Sequence, residues 1–113
     1  MKIIEVGGKL VADMPFLCGQ NFDDIDAHRA LFELQDISKA SFKRANLIGS
    51  FFGGCNAQDT NFSEANLIGA NFRKADLTNA NFTGSKLRFC DFIGAKLDGA
   101  VFDGADLHGA SFD

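Results

Sequence analysis

Histidine, cysteine and carboxylate side chains are the residues of this 113-residue chain best suited to acid–base, nucleophilic or metal chemistry, and their spacing assembles none of it. His28 and His108 stand at opposite ends of the sequence. Cys18, Cys55 and Cys90 are odd in number and widely separated, which fits neither a disulfide framework nor the paired CxxC spacing of a zinc site. Free thiols in a reducing, cytoplasmic setting are expected. The Ser and Thr residues have no His within a plausible triad, and the glycines do not form a phosphate-binding loop ahead of a helix. No catalytic, cofactor or metal site is expected.

The scaffold that carries these residues has an unusual composition. There are 13 Phe and no Trp or Tyr, whereas an ordinary core mixes its aromatics, so one position in the fold must select Phe repeatedly. The length suits one domain. A formal charge of −4 argues against direct contact with nucleic acid or an anionic membrane, because phosphate contacts need clustered Lys and Arg. The start, Met1-Lys2-Ile3-Ile4-Glu5, places an acid and then Gly7-Gly8 where a signal peptide needs an unbroken apolar run.

From residue 40 a five-residue frame runs without slipping. Its centres are Phe42, Leu47, Phe52, Ala57, Phe62, Leu67, Phe72, Leu77, Phe82, Leu87, Phe92, Leu97, Phe102, Leu107 and Phe112, and a small residue stands two places before each. A helix cannot use this spacing, since five residues at about 100° each scatter successive centres around every face. A continuous strand fails as well, because an odd step sends every second centre to the opposite face. The backbone must therefore turn once per pentad. Gly49, Gly54, Gly69, Gly84, Gly94, Gly99, Gly104 and Gly109, each two places after a centre, mark corners that need positive φ.

Pentads such as Ala65-Asn66-Leu67-Ile68-Gly69 and Ala75-Asp76-Leu77-Thr78-Asn79 give the chain a strong resemblance to the pentapeptide-repeat family over about residues 20–113. The resemblance implies an all-β fold, a right-handed quadrilateral parallel β-helix with four pentads per coil and about four and a half coils here. Residues 20 apart then stack. Phe22, Phe42, Phe62, Phe82 and Phe102 would form one internal ladder, and Phe32, Phe52, Phe72, Phe92 and Phe112 the opposite one. Under that geometry His28 and His108 share a column four coils apart, too far to share a metal or a proton.

Residues 1–19 read as an N-terminal cap, with Gly7-Gly8 as a hairpin signal, and residues 25–39 fit the frame loosely enough to predict an irregular first coil. The repeat runs to Phe112-Asp113, so a homodimer stacked through the C-terminal coil, at Phe102, Leu107 and Phe112, is expected to cover that end.

Apolar residues at outward positions form the main surface signal: Leu31, Leu34, Ile48, Phe51, Ile68, Phe89 and Ile93. The cap, with Ile3, Ile4, Val6, Leu10, Val11, Phe16 and Leu17, is expected to fold over Leu31, Leu34, Ile48 and Phe51, leaving Ile68, Phe89 and Ile93 for a protein partner. The function expected is therefore that of an interaction scaffold or regulator. Two alternatives stand beside it. Some relatives imitate duplex DNA and bind gyrase through acidic surfaces, for which Asp98, Asp103 and Asp106 are the candidates here; the other alternative is a structural spacer.

Overall fold

A computed structural model of the chain describes the backbone of residues 2–6 and 9–14 and all of residues 16–113. Two strands open it, β1 (Lys2–Val6) and β2 (Lys9–Met14), paired antiparallel with a register shift between Ile4 and Glu5. The Gly7-Gly8 turn and the expected packing of Ile3, Ile4, Val6, Leu10 and Val11 lie outside the described residues, while Leu17, expected in the cap, is buried in the core of the coil and Phe16 is exposed.

Beyond the hairpin the chain winds into a coil whose parallel bridges join each residue to the one 20 places on: Asn21 to Ser41, Asp26 to Asn46, Leu31 to Phe51, Asp36 to Asn56, and so on to Asp91 and Ser111. Four sides of five residues thus make one coil. Each pentad centre donates its N–H upward, as Phe42 does to the Asn61 carbonyl at 2.7 Å, and each corner residue does the same, as Arg44 does to the Ser63 carbonyl at 3.0 Å. Backbone hydrogen bonds between coils therefore run along the rod, and within each wall successive coils satisfy one another's polar groups without a conventional sheet.

The corner is the same everywhere. The N–H three places after a centre bonds back to the centre's carbonyl, and the residue between them in third position has positive φ, the combination expected of a type II turn. Glycine fills nine of these positions and other residues ten, with φ between 58° and 75° throughout. An Asp or Asn one place before the centre stabilises many of the turns. Its side-chain oxygen accepts the N–H two residues on, as in Asn21 with Asp23, Asn61 with Ser63 and Asn81 with Thr83, and that amide has no partner in the ladder.

The predicted irregularity over 25–39 is absent. Ala27, Phe32 and Ile37 are fully buried, and their amides bond to Asn46, Phe51 and Asn56 in the standard pattern. Unusual residues of this coil, such as Leu31 and Leu34, occupy outward positions, where the backbone does not register them. Leu17 is also buried, one storey beneath Ile37, and Gly19 donates to the Ser38 carbonyl, so the coil's bonding pattern is already present there.

Inside, the two Phe ladders are continuous. Rings one coil apart stack at 4.6 Å (Phe52 and Phe72) to 5.5 Å (Phe42 and Phe62), within 19° of parallel. Rings of opposite ladders meet edge to face, as Phe72 and Phe82 do at 5.6 Å and 87°. Both geometries suit the aromatic quadrupole and add about 0.5–1.5 kcal/mol per pair beyond area burial. That contribution matters in a core only one residue deep on each side.

Candidate interaction surface

The polar residues with chemical potential are occupied structurally. Inward hydroxyls donate to carbonyls of the interior, Ser50 to Ala27 at 3.0 Å, Thr60 to Ile37 at 2.9 Å and Ser85 to Phe82 at 2.7 Å, so they serve as small core residues with a bonded proton. Burial pushes the Cys55 and Cys90 thiols up to about 12, which keeps them protonated and unreactive. Cys18 is exposed, and none of the three is in a disulfide. His28 pairs with Asp26 through Nδ1 at 2.8 Å, and that bond holds the Asp26 carboxyl below its ordinary range. Among the described residues no three His, Cys, Asp or Glu side chains converge on a common point, and no helix is long and apolar enough to cross a membrane.

The acidic candidates do not act as one group. Asp106 is held by Arg88 at 2.6 Å and accepts the His108 N–H, and the Arg88 bond lowers its carboxyl pKa. Asp98 and Asp103 are exposed. Their columns continue downward as Thr78 and Gln58, and as Thr83 and Ser63, so neither extends into a line of carboxylates. Inter-coil pairs of Arg44 with Asp24 and of Arg73 with Asp91 neutralise further acids along the rod.

The apolar candidates fall into two groups. Leu31, Leu34, Ile48 and Phe51 are 54%, 83%, 39% and 40% exposed and sit on two adjacent coils around one wall. Leu31 is bridged directly to Phe51; half-buried Ile68 lies one storey above Ile48, its carbonyl taking the Gly49 N–H. Above Phe51 the wall turns polar through Asn71 and then Asp91, which binds Arg73. That polar step separates Phe89 and Ile93 from the lower group. Phe89, 61% exposed, leans the other way: its ring lies edge-on to His108 at 6.0 Å and over Gly109, where an added Cβ would meet Cδ1 at 2.5 Å. The expected trio Ile68, Phe89 and Ile93 is thus not one surface, because Ile68 belongs with the lower wall.

Phe89 illustrates a rule that sequence columns alone did not reveal. Corner side chains lie along the rod over the corner above, and glycine there makes room: Leu34 over Gly54, Lys74 over Gly94, Asn79 over Gly99 and Phe89 over Gly109. The signal was available in the sequence as large residues 20 places before glycines.

At the upper end Phe102 and Leu107 are partly buried and Phe112 is 42% exposed, in contrast to the fully buried rungs below.

The pentapeptide repeat region model matches residues 25–102, more than half of the sequence. The chain belongs to the pentapeptide-repeat family. Its coil is accordingly the right-handed quadrilateral β-helix of that family. Among solved structures it is similar to a pentapeptide repeat protein from the Arabidopsis thaliana thylakoid lumen, with 31% identity, a TM-score of 0.63, and coverage of 85% of this chain and 63% of that one. It is also similar to HetL of the cyanobacterium Nostoc sp. strain PCC 7120, a pentapeptide repeat protein involved in heterocyst differentiation regulation. There the identity is 26%, the TM-score 0.54, and the coverage 85% of this chain and 52% of that one. The chain therefore spans less than two thirds of the length of either relative. None of the curated proteins matches it.

Proposed function

We propose that this pentapeptide-repeat protein is a non-enzymatic binding protein that engages another protein through the lower apolar wall formed by Leu31, Leu34, Ile48 and Phe51. The carrying observation is their exposure side by side on a rigid frame. Single exposed apolar residues are ordinary, whereas a contiguous group on a fixed wall costs solvation free energy that association recovers. Involvement of HetL in regulation gives a parallel for a repeat protein acting on a process. A second copy of the chain stacked on Phe102, Leu107 and Phe112 is the further contact proposed. The reducing cytoplasm is the compartment that three unpaired thiols suit.

Affinity capture with wild type, a Leu34→Asp/Phe51→Asp variant and a Phe89→Asp/Ile93→Asp variant tests the main contact. A partner retained by wild type and by the upper variant, and lost on the lower variant with its circular dichroism unchanged, is the expected result. Equal capture by all three baits overturns the lower wall. Capture of gyrase that vanishes on Asp98→Asn/Asp103→Asn would put DNA mimicry in its place, and no specific capture at all would leave a spacer. Sedimentation of wild type against Phe112→Asp reads the second contact, a dimer for the first and a monomer for the second.

A further inference from the structure

We infer that the lower apolar wall takes an extended segment of its protein partner, which lays an apolar side chain on Leu31 and Phe51 and gives a backbone carbonyl to the Gly53 N–H. The inference rests on the reading of that wall as the binding surface and names the chemistry of what it binds. It starts from a glycine that the fold does not explain. Gly53 is the one glycine among the described residues whose φ is not positive, and a Cβ added there would meet nothing closer than the Arg73 carbonyl oxygen at 3.7 Å, an ordinary contact. Neither the turn nor the packing of the rod therefore calls for glycine. A bare Cα at such a place suits close approach by another backbone.

The Gly53 amide is also open. One and two storeys higher on the same wall, the corresponding amides are taken by side-chain oxygens, Arg73 N–H by Asn71 at 2.8 Å and Ile93 N–H by Asp91 at 3.0 Å. Phe51 stands in the column of Asn71 and Asp91 with no oxygen to offer, and the Gly53 N–H has no partner among the described residues. Glu33, Arg88, Asp98 and Asp103 also follow residues that lack such an oxygen, but each carries a side chain beside its own amide. At Gly53 alone the missing acceptor coincides with a bare backbone and a 40% exposed aromatic ring. An extended segment supplies what is missing: main-chain carbonyls for the amide and an apolar side chain for the ring.

Charge sets its direction. Arg29 rises along the Gly49 corner on one side of Phe51, its Cγ 3.6 Å from where a Gly49 Cβ would stand, and it forms no ion pair among the described residues. Glu33 lies one storey beneath Gly53 on the other side, and Arg73 above is engaged by Asp91. The segment that fits carries an acid toward Arg29, an apolar residue over Phe51 and a base toward Glu33.

Panning a phage-displayed library of random peptides on the immobilised full chain tests this. Gly53 is the first residue inside its turn, where proline is favoured, and its N–H makes no bond in the ladder, so Gly53→Pro removes the donor and leaves the fold, with circular dichroism as the check. Peptides enriched on wild type should carry the acid, apolar and basic pattern and bind Gly53→Pro about tenfold more weakly. Gly53→Ala, which keeps the donor, should fall between the two, and Arg29→Glu should select peptides with a base in place of the acid. Equal affinity for wild type and Gly53→Pro, or no enrichment on wild type, overturns the inference. Binding lost on Leu34→Asp/Ile48→Asp and unchanged on Gly53→Pro overturns it while leaving the wall as the binding surface. Equal binding to all these baits removes both.

Discussion

The lowest and the highest corners of the rod share one backbone and differ in what stands on it. Asp24, Arg29, Leu34 and Lys39 hold φ near 60° with full side chains, whereas Gly94, Gly99, Gly104 and Gly109 hold φ of 69–75° with none. Left-handed backbone costs an ordinary L-residue roughly 1 kcal/mol, so the lower coil stores strain that the upper coil avoids. Glycine is thus not required at a corner for the turn itself. It is required where a large side chain from the coil below lies across the corner, as Asn79 does over Gly99 and Phe89 over Gly109. The wall carrying Leu31 and Leu34 is thus displayed on corners and sides that keep their side chains.

Breaking the interior that both regions share should have the largest effect. Phe62→Ala removes a ring with stacked neighbours at 5.5 and 5.1 Å and edge contacts on both sides, and about 3–5 kcal/mol of unfolding free energy should be lost by urea titration. A loss below about 1 kcal/mol would mean that the ladders do not carry the fold. The corner rule gives the next effect. Gly109→Ala should cost about 1–2 kcal/mol in wild type and measurably less in a Phe89→Ala background, whereas Gly69→Ala, with open space around it, should show only the backbone cost. Additive behaviour of Phe89→Ala and Gly109→Ala would break the rule. Smallest, and of opposite sign, is Lys39→Gly, which relieves positive φ at an exposed corner and should raise the thermal midpoint by an amount equivalent to about 0.5–1 kcal/mol. A lowered midpoint would show that the corner side chain contributes more than its backbone costs.

The repeat frame, the two Phe ladders and the stacking of residues 20 apart were legible in the sequence, because inward positions tolerate only apolar or small residues and so keep their period. The corners were half legible. Glycine marks them, but Leu34 and Phe89 occupy the same backbone state without announcing it, since the inter-coil hydrogen bond from the corner N–H holds φ positive whatever the side chain. Residues 25–39 misled for a related reason: Leu31 and Leu34 break the outward pattern, to which the coil is indifferent. On the surface, sequence columns placed each apolar candidate correctly around the rod. They did not show that Asn71 and the Arg73–Asp91 pair divide the set, because continuity depends on the residues between candidates.

The inter-coil hydrogen bonds, running along the rod, also set how the molecule answers force. Tension applied to its two ends loads each storey's bonds along their own direction, so the rings come away singly instead of shearing together. Each ring released frees twenty residues, roughly 60–70 Å of slack chain, and the remaining storeys keep their own ladder contacts. Such an object lengthens in uniform steps, a ratchet whose tooth size is fixed by four pentads.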